Sequence, residues 1–207
     1  KEGWCHSMID VKSIKIGPNN QYFKTYDDSL IIGKSNIENE NFNVLVFAIR
    51  NIEKIRIPSF IDIISSYSCE CCFGLQEIEI PNDSKIKKIG KSAFSCTSIN
   101  HVYIPSSVTL IDEKAFASCF KLQIIEIPDN SNLQVIEKEA FVYTSISCFF
   151  MPSHVTKINE NAFCYCENLL IVEFDENSEI NRIDPEVFNG SQNMIIMIPV
   201  KLSNRLF

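Results

Sequence analysis

Nine cysteines and three histidines are the residues of this chain with the widest chemical repertoire. Thiolates bind zinc and attack electrophiles, and imidazole moves protons near neutral pH. Two tight clusters stand out, Cys69-Glu70-Cys71-Cys72 and Cys164-Tyr165-Cys166. A structural zinc site needs two paired clusters at C-x₂₋₄-C spacing. These two lie four sequence units apart, roughly 20 Å if the units stack at the ~4.8 Å spacing of a sheet, which argues against a shared metal. His101, with Cys96 or Cys148 beside it, supplies the ingredients of a Cys–His pair. No third group is placed to orient that histidine, and a shallow sheet offers no pocket. His154 follows Pro152 at a variable position where its counterparts are Phe60 and Ser107, so it reads as solvated. The six glycines are scattered and build no phosphate-cradling loop. No catalytic residue, metal or cofactor is expected.

The cysteines instead follow a structural rule. An odd count leaves at least one thiol over from any disulfide framework. Cys72, Cys119 and Cys166 recur at one position, three residues after a phenylalanine position. Cysteine is often buried as a small hydrophobe, so an interior stack of free thiols is expected. Two sequons, Asn82-Asp83-Ser84 and Asn189-Gly190-Ser191, are acceptors for glycosylation if the protein is secreted.

That recurrence is one trace of a repeat. Anchors fall at Pro58, Pro81, Pro105, Pro128, Pro152, Asp175 and Pro199, at spacings of 23, 24, 23, 24, 23 and 24 residues. A period in the twenties marks a solenoid. The segment Leu-x-x-Ile-x-Ile-Pro runs from Ile52 to Pro58 and returns in each unit. Its last apolar pair alternates with an exposed residue, the period of a short strand, and proline ends it because it has no N–H to donate. One such strand per unit, always in the same direction, stacks into a parallel sheet. The second half, Ile111 through Cys119, places apolar residues at three-to-five-residue intervals, which suits a turn of helix or 3₁₀-helix. The fold class expected is therefore an α/β repeat solenoid, a right-handed coil with a strand on one side and helical turns on the other.

Along the chain, residues 1–17 read as a partial first unit, with Val11, Ile14 and Ile16 matching Leu75, Ile78 and Ile80, and Trp4 with Met8 as a lid. Residues 18–51 form an irregular unit. Gly17 to Pro58 spans 41 residues, so 17 or 18 are inserted. Leu30-Ile31-Ile32 and Val44-Leu45-Val46-Phe47, flanking a polar stretch, predict a β-hairpin making an excursion from the coil. Residues 52–199 are regular repeats, and 200–207 are the end or a cap, with Leu202, Leu206 and Phe207 closing it. All of 1–207 is read as one solenoid. A net charge of -7 argues against a nucleic-acid partner. No apolar run approaches the ~20 residues of a membrane helix. The start at Lys1, without initiator Met or signal-peptide pattern, reads as an excised or processed piece.

The unit Leu-x-x-Ile-x-Ile-Pro-x-x-Val-x-x-Ile-x-x-x-Ala-Phe-x-x-Cys resembles the leucine-rich repeat of BspA-like surface antigens, a bacterial-type repeat also found in trichomonad proteins. The stretch Tyr26 to Ser35 with Leu45-Val46-Phe47 is similar to an interruption seen in those arrays. The resemblance covers nearly the whole chain but rests on core residues. It implies a cell-surface or secreted adhesin that binds host or matrix proteins such as fibronectin and fibrinogen, and it brings no catalytic residues.

Function in a repeat array falls to the variable positions. Two residues of each strand point outward, onto the expected concave face: Lys54 and Arg56, Glu77 and Glu79, then His101 and Tyr103. Next come Ile124 and Glu126, Cys148 and Phe150, and Ile171 and Glu173, with Met197 in the last strand. Tyr103, Ile124, Phe150, Ile171 and Met197 are expected to form a contiguous apolar patch, the usual mark of an interaction site. His101, Glu126 and Glu173 border it. A protein ligand is the expected partner. Competing readings are an intracellular scaffold, which the free thiols favour, and a self-associating structural protein.

Overall fold

The computed structural model describes residues 5, 6, 8–38 and 40–202. Three strands open it: β1 (Phe23–Tyr26), β2 (Leu30–Gly33) and β3 (Val44–Ala48). Seven short strands carry the Leu-x-x-Ile-x-Ile motif: β4 (Lys54–Arg56), β6 (Glu77–Glu79), β8 (His101–Tyr103), β10 (Ile124–Glu126), β12 (Cys148–Met151), β14 (Ile171–Phe174) and β16 (Ile195–Met197). Between them lie six two-residue strands: β5 (Ile63–Ile64), β7 (Lys88–Ile89), β9 (Leu110–Ile111), β11 (Val135–Ile136), β13 (Lys157–Ile158) and β15 (Arg182–Ile183). The chain alternates between two walls, and the core fills the space between them.

The helical turns expected opposite the short strands are absent. The described residues contain no helix beyond the three residues 200–202. The second wall is a parallel ladder of β5 to β15, continuous in a nine-stranded sheet. The physical reason lies in the Ala-Phe segment. Lys114 and Ser118 both have left-handed φ, and the same pairing recurs at Ser92 and Cys96, Glu139 and Tyr143, and Asn161 and Tyr165. A left-handed residue every fourth position interrupts helical hydrogen bonding. N–H groups alternate instead. Ala115 and Ala117 donate to Asp112 and Lys114 three residues back, whereas Phe116 and Ser118 donate to Ala140 and Val142 of the next coil. The fold is an all-β coil, and the α/β expectation is corrected.

The hairpin forms, but it is no excursion. β2 pairs antiparallel with β3, and β3 pairs parallel with β5, so the hairpin extends the nine-stranded sheet. A third strand, β1, continues it antiparallel to β2. Val11, Ile14 and Ile16 form no strand. With Met8 they pack on Ile31, Val44, Val46 and Phe47, covering the outer side of the hairpin. Trp4, Leu206 and Phe207 lie outside the described residues.

Arg50 locks this end. Its buried guanidinium donates to the carbonyls of Met8, Ala48, Ser68, Cys5 and Tyr67 and to the Cys72 thiol. It also lies 4.3 Å from the Phe47 ring centre. Further along, Phe94, Phe116, Phe141, Phe163 and Phe188 stack coil on coil at ring separations of 5.2–5.7 Å. Such pairs add about 0.5–1.5 kcal/mol each beyond their area burial.

The expected thiol stack is present: Cys72, Cys119 and Cys166 are buried and free. The intervening coils carry Thr97, Thr144 and Ser191 at the same position. Thr97 Oγ1 meets Cys119 Sγ at 3.3 Å, and Thr144 Oγ1 meets Cys166 Sγ at 3.2 Å. Each of these two thiols also donates to a carbonyl of the coil before, Phe94 or Phe141, at 3.1 Å. The ladder is polar and satisfied, which an apolar reading of cysteine misses.

Candidate protein-binding face

The short strands alternate inward and outward residues, so seven stacked strands present two outward columns. Register fixes them. Ile124 lies beside His101 and Glu126 beside Tyr103. Cys148 lies beside Ile171 and Phe150 beside Glu173. Ile195 and Met197 follow on Ile171 and Glu173. The first column is apolar from Ile124 through Cys148 and Ile171 to Ile195. The second alternates, running Glu79, Tyr103, Glu126, Phe150, Glu173 and Met197.

The structure brings all eight residues chosen from sequence onto this face. Ile124, Glu126, Ile171, Glu173 and Met197 are exposed, while His101, Tyr103 and Phe150 are half-buried. Ile195 escapes a reading of the sequence, because the irregular last unit obscures its register. It is 63% exposed and extends the apolar column. Ile196, whose counterpart Val172 is fully buried, is also 38% exposed. The apolar surface therefore continues around the last described coil.

The single sheet expected here is in three pieces, β4–β6, β8–β10 and β12–β14–β16. Strands 23 residues apart pair, as Lys54 with Glu77 and His101 with Ile124; the ladder breaks at two of the three 24-residue steps, after β6 and after β10. The longer units carry two more residues after the anchor, such as the run between Pro81 and Ile86, and the Ser84 hydroxyl folds that run by accepting from Ile86 N–H. Each break opens a shallow groove. One of about 500 Å³ lies between Glu79 and His101 and is bordered by Arg56, Tyr103 and Glu126. The other, about 420 Å³, is framed by Tyr103, Glu126, Pro128 and Phe150. Tyr103 and Phe150 thus flank the second groove.

Charge is segregated along the face. Lys54 reaches Glu77 at 3.0 Å and Glu79 at 2.6 Å. Its ammonium holds the Glu79 carboxyl below the usual range, and both glutamates push Lys54 up. His101 Nε2 lies 3.2 Å from Glu126 Oε1 without hydrogen-bond alignment. His101 therefore faces a carboxylate rather than a cysteine. Glu173 has no ion-pair partner among the described residues. One end of the face neutralises itself, and the other is mainly apolar around the unpaired Glu173.

Nothing else described rivals this surface. A groove of about 630 Å³ beside the hairpin is bordered by Lys24, Phe42, Asn43, Phe60, Asp62 and Lys85. Within it Lys24 covers the Phe42 ring at 4.5 Å, and Asn43 donates to Asp62 at 2.8 Å. No three His, Cys, Asp or Glu side chains converge as metal ligands among the described residues. No described helix is long and apolar enough to cross a membrane.

The comparisons with known proteins agree with this architecture. The family described as BspA-type leucine-rich repeat region matches in six copies, across residues 35–170 and 87–205. No curated protein sequence matches the chain. Among solved structures, the leucine-rich repeat protein TpLRR of T. pallidum aligns at a TM-score of 0.67 and 22% identity, covering 90% of this chain and 84% of that one. The pneumococcal vaccine antigen PcpA aligns at 0.56 and 22% identity, covering 83% of this chain and 42% of its own. At these identities the likeness is one of fold. The repeat matches span most of the sequence, and so the chain belongs to the BspA-type leucine-rich repeat family.

Proposed function

We propose that this chain is a non-enzymatic protein-recognition module that binds a partner through the outward face of its short strands, in the setting of a cell-surface antigen. The observation that carries the reading is the apolar column of Ile124 and the in-register Cys148–Ile171–Ile195 beside Tyr103, Phe150 and Met197. A folded coil gains nothing by exposing these residues together, since its core is already filled by the inward positions. Contiguous exposed apolar surface with aromatic anchors is what protein interfaces use. Kinship with surface antigens supports the extracellular setting, and matrix proteins are the partners that the repeat's resemblance implies.

The test is direct binding to immobilised fibronectin and fibrinogen. Phe150→Asp and Ile171→Asp place a charge on this face, one in each outward column, and spare the inward positions that fill the core. Each is expected to lower affinity at least about tenfold, the loss of about 1.4 kcal/mol that a modest hot spot carries. Folding is checked by circular dichroism. Unchanged affinity in both folded variants contradicts the use of this face.

A further inference from the structure

We propose that Cys71 and Cys96 form a disulfide between neighbouring coils when the protein meets a low-molecular-weight disulfide such as oxidised glutathione, stapling the coil of β4 to the coil of β6. Six of the nine cysteines are buried, and Cys148 stands exposed on the short-strand face. Cys71 and Cys96 are the two half-buried ones. They occupy one position of consecutive coils, each immediately before a rung of the buried thiol–hydroxyl ladder, Cys72 or Thr97.

Backbone geometry aligns them. Cys69 N–H donates to Ala93 and Cys71 N–H to Ser95, at 2.8 and 2.9 Å. Both cysteines have left-handed φ, 57° and 59°. Equal backbone conformation in coils held in register directs the two Cβ atoms the same way. Adjacent coils at ~4.8 Å fall inside the ~4.4–6.8 Å Cα window that a disulfide requires. The same position in later coils shows how near such side chains come: Tyr143 and Tyr165 stack there at 4.9 Å with ring planes 3° apart. In the coils at issue, the Cys96 side chain lies near enough to act on the Cys71 thiol.

The chemistry balances as two exchanges. One cysteine thiolate attacks the small disulfide, forming a mixed disulfide and releasing one small thiol. The other cysteine then attacks the protein sulfur of that mixed disulfide and releases the second. The two cysteines lose two protons and two electrons, and the small disulfide is reduced to two thiols. Burial and the neighbouring Cys96 push the Cys71 thiol up to about 11. Closure is therefore slow at neutral pH and quickens in alkali.

The test incubates the full chain with oxidised glutathione under native conditions, alkylates the remaining thiols and maps peptides by mass spectrometry. The expected product is an intramolecular Cys71–Cys96 cross-link, short of two hydrogens, which persists in Cys148→Ser and disappears in Cys96→Ser. Free thiols at both positions, separate glutathione adducts on each, or pairing of either with another cysteine in the folded protein would overturn the proposal.

Discussion

At the residue scale, polar groups that sequence patterning treats as incidental hold much of this molecule. Arg50 satisfies five backbone carbonyls where the hairpin meets the first coil. Lysine has one terminal nitrogen with three donors and no planar fork. Arg50→Lys should therefore destabilise by roughly 2–4 kcal/mol, since buried acceptors left unpaired each cost about 1–3 kcal/mol; urea unfolding measures it. Nothing in the sequence marks Arg50, because its partners are backbone atoms distant along the chain. The buried thiols make a second prediction. Cys119 is pushed up to about 12 from a usual 9, chiefly by burial. The unfolded chain releases that proton first as pH rises through 9, so stability is complete below pH 9 and falls above it. The slope is about 1.4 kcal/mol per pH unit for one such thiol. Cys119→Ala should show a shallower decline between pH 9 and 10.5 than the native chain, and equal slopes would contradict the assignment.

At the scale of elements, the period and its apolar positions were legible, and the short strands were found where the Leu-x-x-Ile-x-Ile segments predict them. The opposite wall was not. Ile111, Ala115, Phe116 and Cys119 are spaced as a helix would space them, and the left-handed positions that prevent helix are Lys114 and Ser118, not glycines. Only the hydrogen bonds between coils reveal why. Their backbone cost is testable. A β-branched residue tolerates positive φ poorly, whereas glycine adopts it freely. Lys114→Val should lower stability by about 1–2 kcal/mol, and Lys114→Gly should leave it within about 0.5 kcal/mol, because relieved strain offsets added chain entropy. Equal losses in thermal unfolding would mean that φ is not the constraint. The grooves beside Tyr103 were half legible. The alternation of 23 and 24 residues was plain in the sequence, but its consequence, a ladder broken after β6 and β10, appears only in the pairing.

At the scale of the molecule, the two walls divide the labour. The wall of two-residue strands is continuous and runs into an antiparallel hairpin, which ends the parallel ladder without an exposed parallel edge. Its outward residues form ion pairs between coils, such as Lys88 with Asp112 and Lys114 with Glu139. The short-strand wall is interrupted, grooved and apolar toward its last coils. The proposal of partner binding through the short-strand wall rests on this asymmetry. The most direct measurement places a photo-crosslinking phenylalanine analogue at Ile124 on the short-strand wall or at Lys138 on the other, and exposes each folded protein to fibronectin and fibrinogen. An adduct from position 124 with none from 138 is the predicted result. An adduct from 138 alone, or equal yields from both walls, would contradict it.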